Sequence, residues 1–220
     1  MLTIHVVELS AMPRTRRYLK RLPEGLDSYP EAKVKGSLFQ TVANNPPAGL
    51  DVMELPDELR WLCTDTPAVN SWIPEVYMVS LINAFRDLVF DSEEALLDWG
   101  DDYCRTLFES SLYRMLFAMV SPHRLARSAV QVWASLRKGT SRELITMEDN
   151  RNVGRIRYPS HLYDGLYVEG IVRGLQVTYG MSRAPQARGR VLRHTETECD
   201  IEMVYDASLP SVVEDLPAGP

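Results

Sequence analysis

Residues 141–160 read SRELITMEDNRNVGRIRYPS. Two short runs, SRELITMED and VGRIRYPS, flank the turn-forming tetrapeptide DNRN. Alternating side chains on either side of a polar turn predict a β-hairpin. The long apolar segments before this point have helical spacing. Immediately after it, YDGLYVEGIVRGLQVTYG places Leu166, Ile171, Val172, Leu175 and Val177 at the period of an amphipathic helix. Next, ARGRVLRHTETECDIEMVYD alternates again as two strands, with Cys199, Ile201, Met203 and Tyr205 on one face and Asp200, Glu202, Val204 and Asp206 on the other. The order is therefore helices first, then β-β-α-β-β. That order predicts an α+β fold, with N-terminal helices packed on a C-terminal antiparallel sheet.

Upstream, SWIPEVYMVSLINAFRDLVF carries Val76, Val79, Leu81, Ile82, Phe85, Leu88 and Val89 on one helical stripe. Ser71 reads as its cap and Pro74 as a first-turn residue. A second long helix is expected over residues 92–119, and a third starts at Ser121-Pro122 and ends at Gly139, with Arg137 and Lys138 complementing its C-terminus. Shorter helices are expected from Gly36-Ser37 and over residues 56–63. Residues 1–9 alternate weakly as an edge strand. The basic run that follows, including Arg14, Arg16, Arg17, Lys20 and Arg21, reads as a solvated arm or linker. The expected organisation is an N-terminal strand and basic arm over 1–32, a single α+β domain over 33–206, and a loose tail over 207–220.

Composition narrows the functional classes. The 220 residues are 45% hydrophobic, enough to bury a core without metal or disulfide staples. A net charge of −6 argues against a general nucleic-acid or anionic-membrane surface. The three cysteines, Cys63, Cys104 and Cys199, are widely spaced and form no CxxC pair, so no zinc site or disulfide framework is expected. Free thiols, a first stretch whose charges follow its apolar residues, and the lack of an apolar run of roughly 18 residues point to a cytoplasmic protein without membrane insertion. The G-x-S-x-G, H-E-x-x-H, phosphate-loop and dinucleotide patterns are absent from the sequence. Acidic clusters at Glu93-Glu94, Asp98, Asp101-Asp102 and at Glu196, Glu198, Asp200 and Glu202 fall on a helix start and a strand's outer face, where they read as solvated surface.

GLDSYPEAKVKGSLFQ, WIPEVYMVSLINAF, LYRMLFAMVSPHRLARSAVQVWASLRKGT and the closing CDIEMVYD carry a resemblance. In their order they resemble the superfamily that groups haem nitric-oxide-binding domains, 4-vinyl reductase-like sensory domains and vesicle-tethering TRAPP subunits. The nearest likeness is to a large paralogous family from myxobacteria. Haem sensors of this superfamily clamp porphyrin carboxylates with Tyr-x-Ser-x-Arg. Here Tyr158 and Ser160 are present, but Leu162 stands where the arginine belongs. Among the histidines, His123 alone precedes that strand on an expected helix, at its first turn, where it faces solvent rather than binding iron. The clamp reads as absent, with the Tyr158 and Ser160 hydroxyls meeting backbone groups, and no cofactor or metal is expected.

The resemblance, together with the missing catalytic motifs, implies a non-catalytic interaction or adaptor module. It would act as an oligomer with itself or a protein partner, in a bacterial signalling or assembly system. Trp72, Ile73, Tyr77, Leu81 and Trp99 are the interface candidates. The alternative is a small-molecule sensor with a pocket between the 161–180 helix and the sheet. Its candidates are Tyr158, Ser160, Tyr163, Tyr167, Gly170, Gly174 and Cys199. The glycines Gly165, Gly170 and Gly174 are expected to let that helix lie close on the sheet.

Overall fold

The computed structural model describes residues 11–108, 121–182 and 186–205. The N-terminal half is helical. α1 (Pro13–Arg21), α2 (Gly36–Asn44), α3 (Asp57–Thr64), α4 (Glu75–Leu88) and α5 (Glu93–Phe108) are followed by α6 (Pro122–Leu136). Three very short strands, β1 (Lys33–Lys35), β2 (Trp72–Pro74) and β3 (Arg137–Lys138), join helix ends into an antiparallel sheet of order β2-β1-β3. The C-terminal half is β4 (Ser141–Glu148), β5 (Arg151–Arg157), α7 (Gly165–Met181), β6 (Arg188–His194) and β7 (Glu198–Val204). Its four strands pair antiparallel in the order β4-β5-β7-β6. This is the α+β arrangement expected from the element order.

α4 is the central helix. Val76, Val79, Leu81, Ala84 and Phe85 are fully buried, and the helix lies against α1, α5 and α7. α1 does not form a solvated arm. Its basic residues flank a buried stripe of Thr15, Tyr18 and Leu19. The Asp87 carboxylate of α4 accepts from the Arg14 and Thr15 amides, at 3.0 and 2.9 Å, and so caps α1 from outside the helix. Charge composition hid this helix because its five basic residues outnumber the three of the buried stripe.

Two other expectations change. Arg137 and Lys138 do not close α6; they leave it as β3, with Arg137 opposite Val34 and Lys138 opposite Lys33. Ser71 does not cap α4. Its hydroxyl donates to Ala68 O at 2.6 Å, and the residues after it are β2. Strands of two or three residues carry no readable alternation, so the small sheet was invisible in the sequence. The expected edge strand over 1–9, the 109–119 part of the second long helix and the 207–220 tail lie outside the described residues.

The inner face of the large sheet carries Asn152 and Ile156 of β5 with Cys199, Ile201 and Met203 of β7, all buried. α7 runs over this face and against α5. Close approach to the sheet depends on Gly189 of β6: a Cβ there would stand 2.7 Å from Val172 Cγ1 and 2.8 Å from Met203 Sδ. Two glycines of α7, Gly170 and Gly174, serve the other side. A Cβ at Gly174 would meet Cys104 Sγ at 3.2 Å, and one at Gly170 would reach Leu97 Cδ2 at 4.0 Å, both on α5. They ease helix–helix rather than helix–sheet contact.

The outer face of the sheet is stitched by charge. Arg155 grips Asp200 with two bonds of 2.7 and 2.9 Å. Glu202 accepts from Arg151 at 2.6 Å and from Arg190 at 2.5 Å. Arg193 reaches Glu198 at 2.8 Å and Arg157 reaches Glu143 at 2.6 Å. The acidic alternation on β7 is thus paired with arginines of the neighbouring strands.

Candidate functional site

β5 leaves the sheet through Tyr158-Pro159-Ser160-His161-Leu162, a tight turn in which Leu162 N donates to Pro159 O at 3.0 Å and His161 adopts φ +60°. The turn is tied to the loop before β7. Tyr158 N donates to Thr197 O at 2.9 Å, Tyr158 Oη to Thr195 O at 3.0 Å, and His161 N to Glu196 O at 2.7 Å. Ser160 offers its carbonyl to Tyr29 Oη at 2.8 Å. Leu162, fully buried, offers its own to Tyr18 Oη at 2.9 Å. Asp164 then caps α7 by accepting from Tyr167 N at 2.9 Å, and Asn83 of α4 steadies that carboxylate at 2.8 Å.

This geometry stacks three of the expected pocket residues. The Tyr158 and Tyr163 rings lie 4.5 Å apart, and Tyr163 and Tyr167 4.9 Å apart, with all three residues buried. The Tyr163 and Tyr167 end of the stack meets a buried ion pair. Glu75, the first residue of α4, is fully buried, and its Oε1 accepts from Arg137 Nε at 2.9 Å and from Tyr167 Oη at 3.1 Å. The Arg137 guanidinium also lies 4.1 Å from the Trp133 ring centre. β2 and β3 deliver the two charges. Glu75 directly follows β2, and Arg137 opens β3 on the inward face of the small sheet.

Two polar atoms of this cluster, Glu75 Oε2 and Tyr163 Oη, are buried and make no hydrogen bond of ordinary geometry among the described residues, although the Glu75 carboxylate lies near enough to the Tyr163 hydroxyl to act on it as a hydrogen-bond neighbour. Burial, and after it the Glu75 charge, pushes the Tyr163 hydroxyl well above its ordinary range. Burial does the same to Tyr167, again with Glu75 beside it. For Arg137 burial opposes the charge, yet Tyr167 and Glu75 outweigh it, and the guanidinium is held above its usual range. The cluster is a fixed set of donors and acceptors in which Glu75 and Tyr163 are neighbours without an ordinary hydrogen bond.

The other candidates do not join it. Cys199 is fully buried on the inner sheet face, and burial pushes its thiol up to about 12, so it is a small apolar group rather than a nucleophile. Gly170 and Gly174 face α5. Of the interface candidates, Ile73 and Leu81 belong to the core of the single chain at 5% and 0% exposure, and Trp99 packs edge-on against Phe85. Trp72 and Tyr77 keep part of their rings at the surface. Sequence reading missed Glu75 and Arg137 altogether, because their pairing spans 62 residues. It also missed Arg142, whose guanidinium lies over Gly154 on the inner sheet face, without an ion pair or hydrogen bond among the described residues. No group of three or more His, Cys, Asp or Glu among the described residues is arranged to hold a metal ion.

No family model and no curated protein matches the chain. Solved structures do. The chain is similar to the Fe(II) unliganded H-NOX protein from K. algicida and to a point mutant of it, each at TM-score 0.56 and 13% identity, over 80% of this chain and 98% of that one. The fold is H-NOX-like. At this identity the likeness concerns the fold alone; it agrees with the expected haem-nitric-oxide-binding fold and carries nothing toward the expected myxobacterial family.

The described residues do not fit a haem. Leu162 fills the clamp arginine's place as a core residue, and the Tyr158 hydroxyl is spent on a backbone carbonyl. His123 sits edge-on to Tyr205, His161 lies between Arg21 and Glu196, and the His194 ring meets Tyr163 O at 3.2 Å. None of these three stands free in the interior. No described helix is long and apolar enough to cross a membrane.

Proposed function

We propose that this chain is a non-catalytic, cytoplasmic sensor domain for a small polar molecule. Its ligand would sit among α4, α7 and the sheet, donating to Glu75 Oε2 and exchanging a hydrogen bond with Tyr163 Oη. The observation that carries this reading is a pair of buried polar atoms, Glu75 Oε2 and Tyr163 Oη, that make no hydrogen bond of ordinary geometry beside an otherwise satisfied ion pair. Such atoms cost free energy when nothing meets them, and a ligand or ordered water would relieve that cost. The H-NOX-like fold supports the class, and the missing haem contacts turn the proposal away from a porphyrin.

The test is native mass spectrometry of protein purified from its own cells, with an absorption spectrum of the same sample. An added non-protein mass, reduced in Tyr163→Phe and lacking a Soret band, is the expected result. Bare protein mass in every charge state would sink the reading, and a Soret band would overturn the exclusion of haem. A second reading, a homo-oligomeric or partner-bound adaptor, draws on the exposed edge of Trp61, 37% accessible, which packs on Tyr77 at 6.3 Å. In the same spectra, a stable oligomer without added mass would favour it.

A further inference from the structure

The small sheet has two faces. Val34, Ile73 and Arg137 point inward, and the register places Lys33, Lys35, Trp72, Pro74 and Lys138 together on the opposite face. There Lys33 stands directly opposite Lys138, and Lys35 directly opposite Trp72. The Lys35 and Lys138 ammonium groups lie 4.4 and 4.2 Å from the Trp72 ring centre. None of the three lysines has an ion pair among the described residues, although the chain carries a net charge of −6 and pairs many of its arginines with carboxylates. Like charges directly across two strands oppose folding. A face that gathers three unpaired cations, two of them over one aromatic ring, is complementary to a negatively charged partner.

We propose that this face docks a short acidic segment of a partner protein, with its carboxylates on Lys33, Lys35 and Lys138. A protein segment fits better than a nucleic acid. The Trp72 ring is already covered by ammonium groups and offers no free platform for a base. The acidic chain as a whole also repels a long polyanion.

Fluorescence anisotropy of a labelled octaglutamate peptide against the full chain tests this. The patch variant Lys33→Gln/Lys35→Gln/Lys138→Gln is compared with a control of equal charge change on α1, Arg16→Gln/Arg17→Gln/Lys20→Gln. Saturable binding is expected, weakened by added salt, with roughly tenfold lower affinity in the patch variant and little change in the control. The single variant Lys138→Gln, at an exposed position, gives a smaller loss in the same direction and serves if the triple variant does not fold. Equal loss in patch and control variants would overturn the proposal, as would no saturable binding by the unaltered chain. Tighter patch-dependent binding of an eight-nucleotide oligouridylate would also overturn it, in favour of a nucleic-acid surface.

Discussion

Tyr163 and Tyr167 lie four residues apart and make opposite predictions. Tyr167 donates to Glu75 at 3.1 Å, so Tyr167→Phe is expected to cost about 1–2 kcal/mol. Tyr163 Oη makes no hydrogen bond of ordinary geometry among the described residues, so Tyr163→Phe should fall within about 0.5 kcal/mol of the parent or stabilise it. Urea denaturation midpoints decide between them; equal costs would mean that the Tyr163 hydroxyl is satisfied. The Glu75–Arg137 pair makes a second prediction at this scale. With side chains 0% and 12% exposed, loss of one partner strands a charge. Arg137→Met alone is expected to cost about 3–5 kcal/mol, and the Glu75→Met/Arg137→Met double variant less than the sum of the singles. A purely additive double-mutant cycle would show that the two groups do not act as a pair.

Among the elements, α7 is held from two sides by different devices. Its seat on the sheet depends on Gly189, where a Cβ would clash with Val172 and Met203. Gly189→Ala is expected to destabilise by about 1–3 kcal/mol. Gly100, inside α5, has nothing within 4 Å of an added Cβ. Gly100→Ala should therefore stabilise by about 0.5–1 kcal/mol, through helix propensity and a less mobile unfolded chain. Thermal melts of the two variants should shift in opposite directions, and a shared direction would contradict the packing described. The sequence shows four glycines on α7 but does not reveal that two of them, Gly170 and Gly174, face α5. That depends on whether α5 or the sheet lies on that side, and the sheet's own glycine comes from a strand 15 residues beyond Gly174.

For the whole molecule, the outer sheet face governs the response to acid. Bonds from Arg155 hold Asp200 below its ordinary range, and bonds from Arg190 and Arg151 do the same for Glu202. Their folded values are depressed, so their contribution is present above the unfolded carboxylate range near pH ~4 and is lost as pH falls through the lower folded values. The melting temperature should drop between roughly pH 4 and pH 2. Asp200→Asn/Glu202→Gln should melt lower than the parent at neutral pH and show a flatter acid limb. An acid limb as steep as the parent's would place the titration elsewhere.

The element order and the antiparallel β-β-α-β-β unit are legible in the amino-acid pattern, because these rest on local periodicity and turns. The polar hairpin DNRN, the helical stripe of residues 165–181 and the alternation of β7 each speak within one element. That pattern also led to the three tyrosines of the stack, since they cluster along ten residues around one turn. Only the tertiary structure decided what those tyrosines meet. Glu75 and Arg137 are ordinary surface-type residues in sequence, one at a helix start and one near a helix end. They become a buried pair because strands of two and three residues fold their helices back on each other. The same pairing turns Lys33, Lys35, Trp72 and Lys138 to one outward face. Contacts across 62 residues leave no local period behind, so the ion pair and the lysine face first appear when the chain closes.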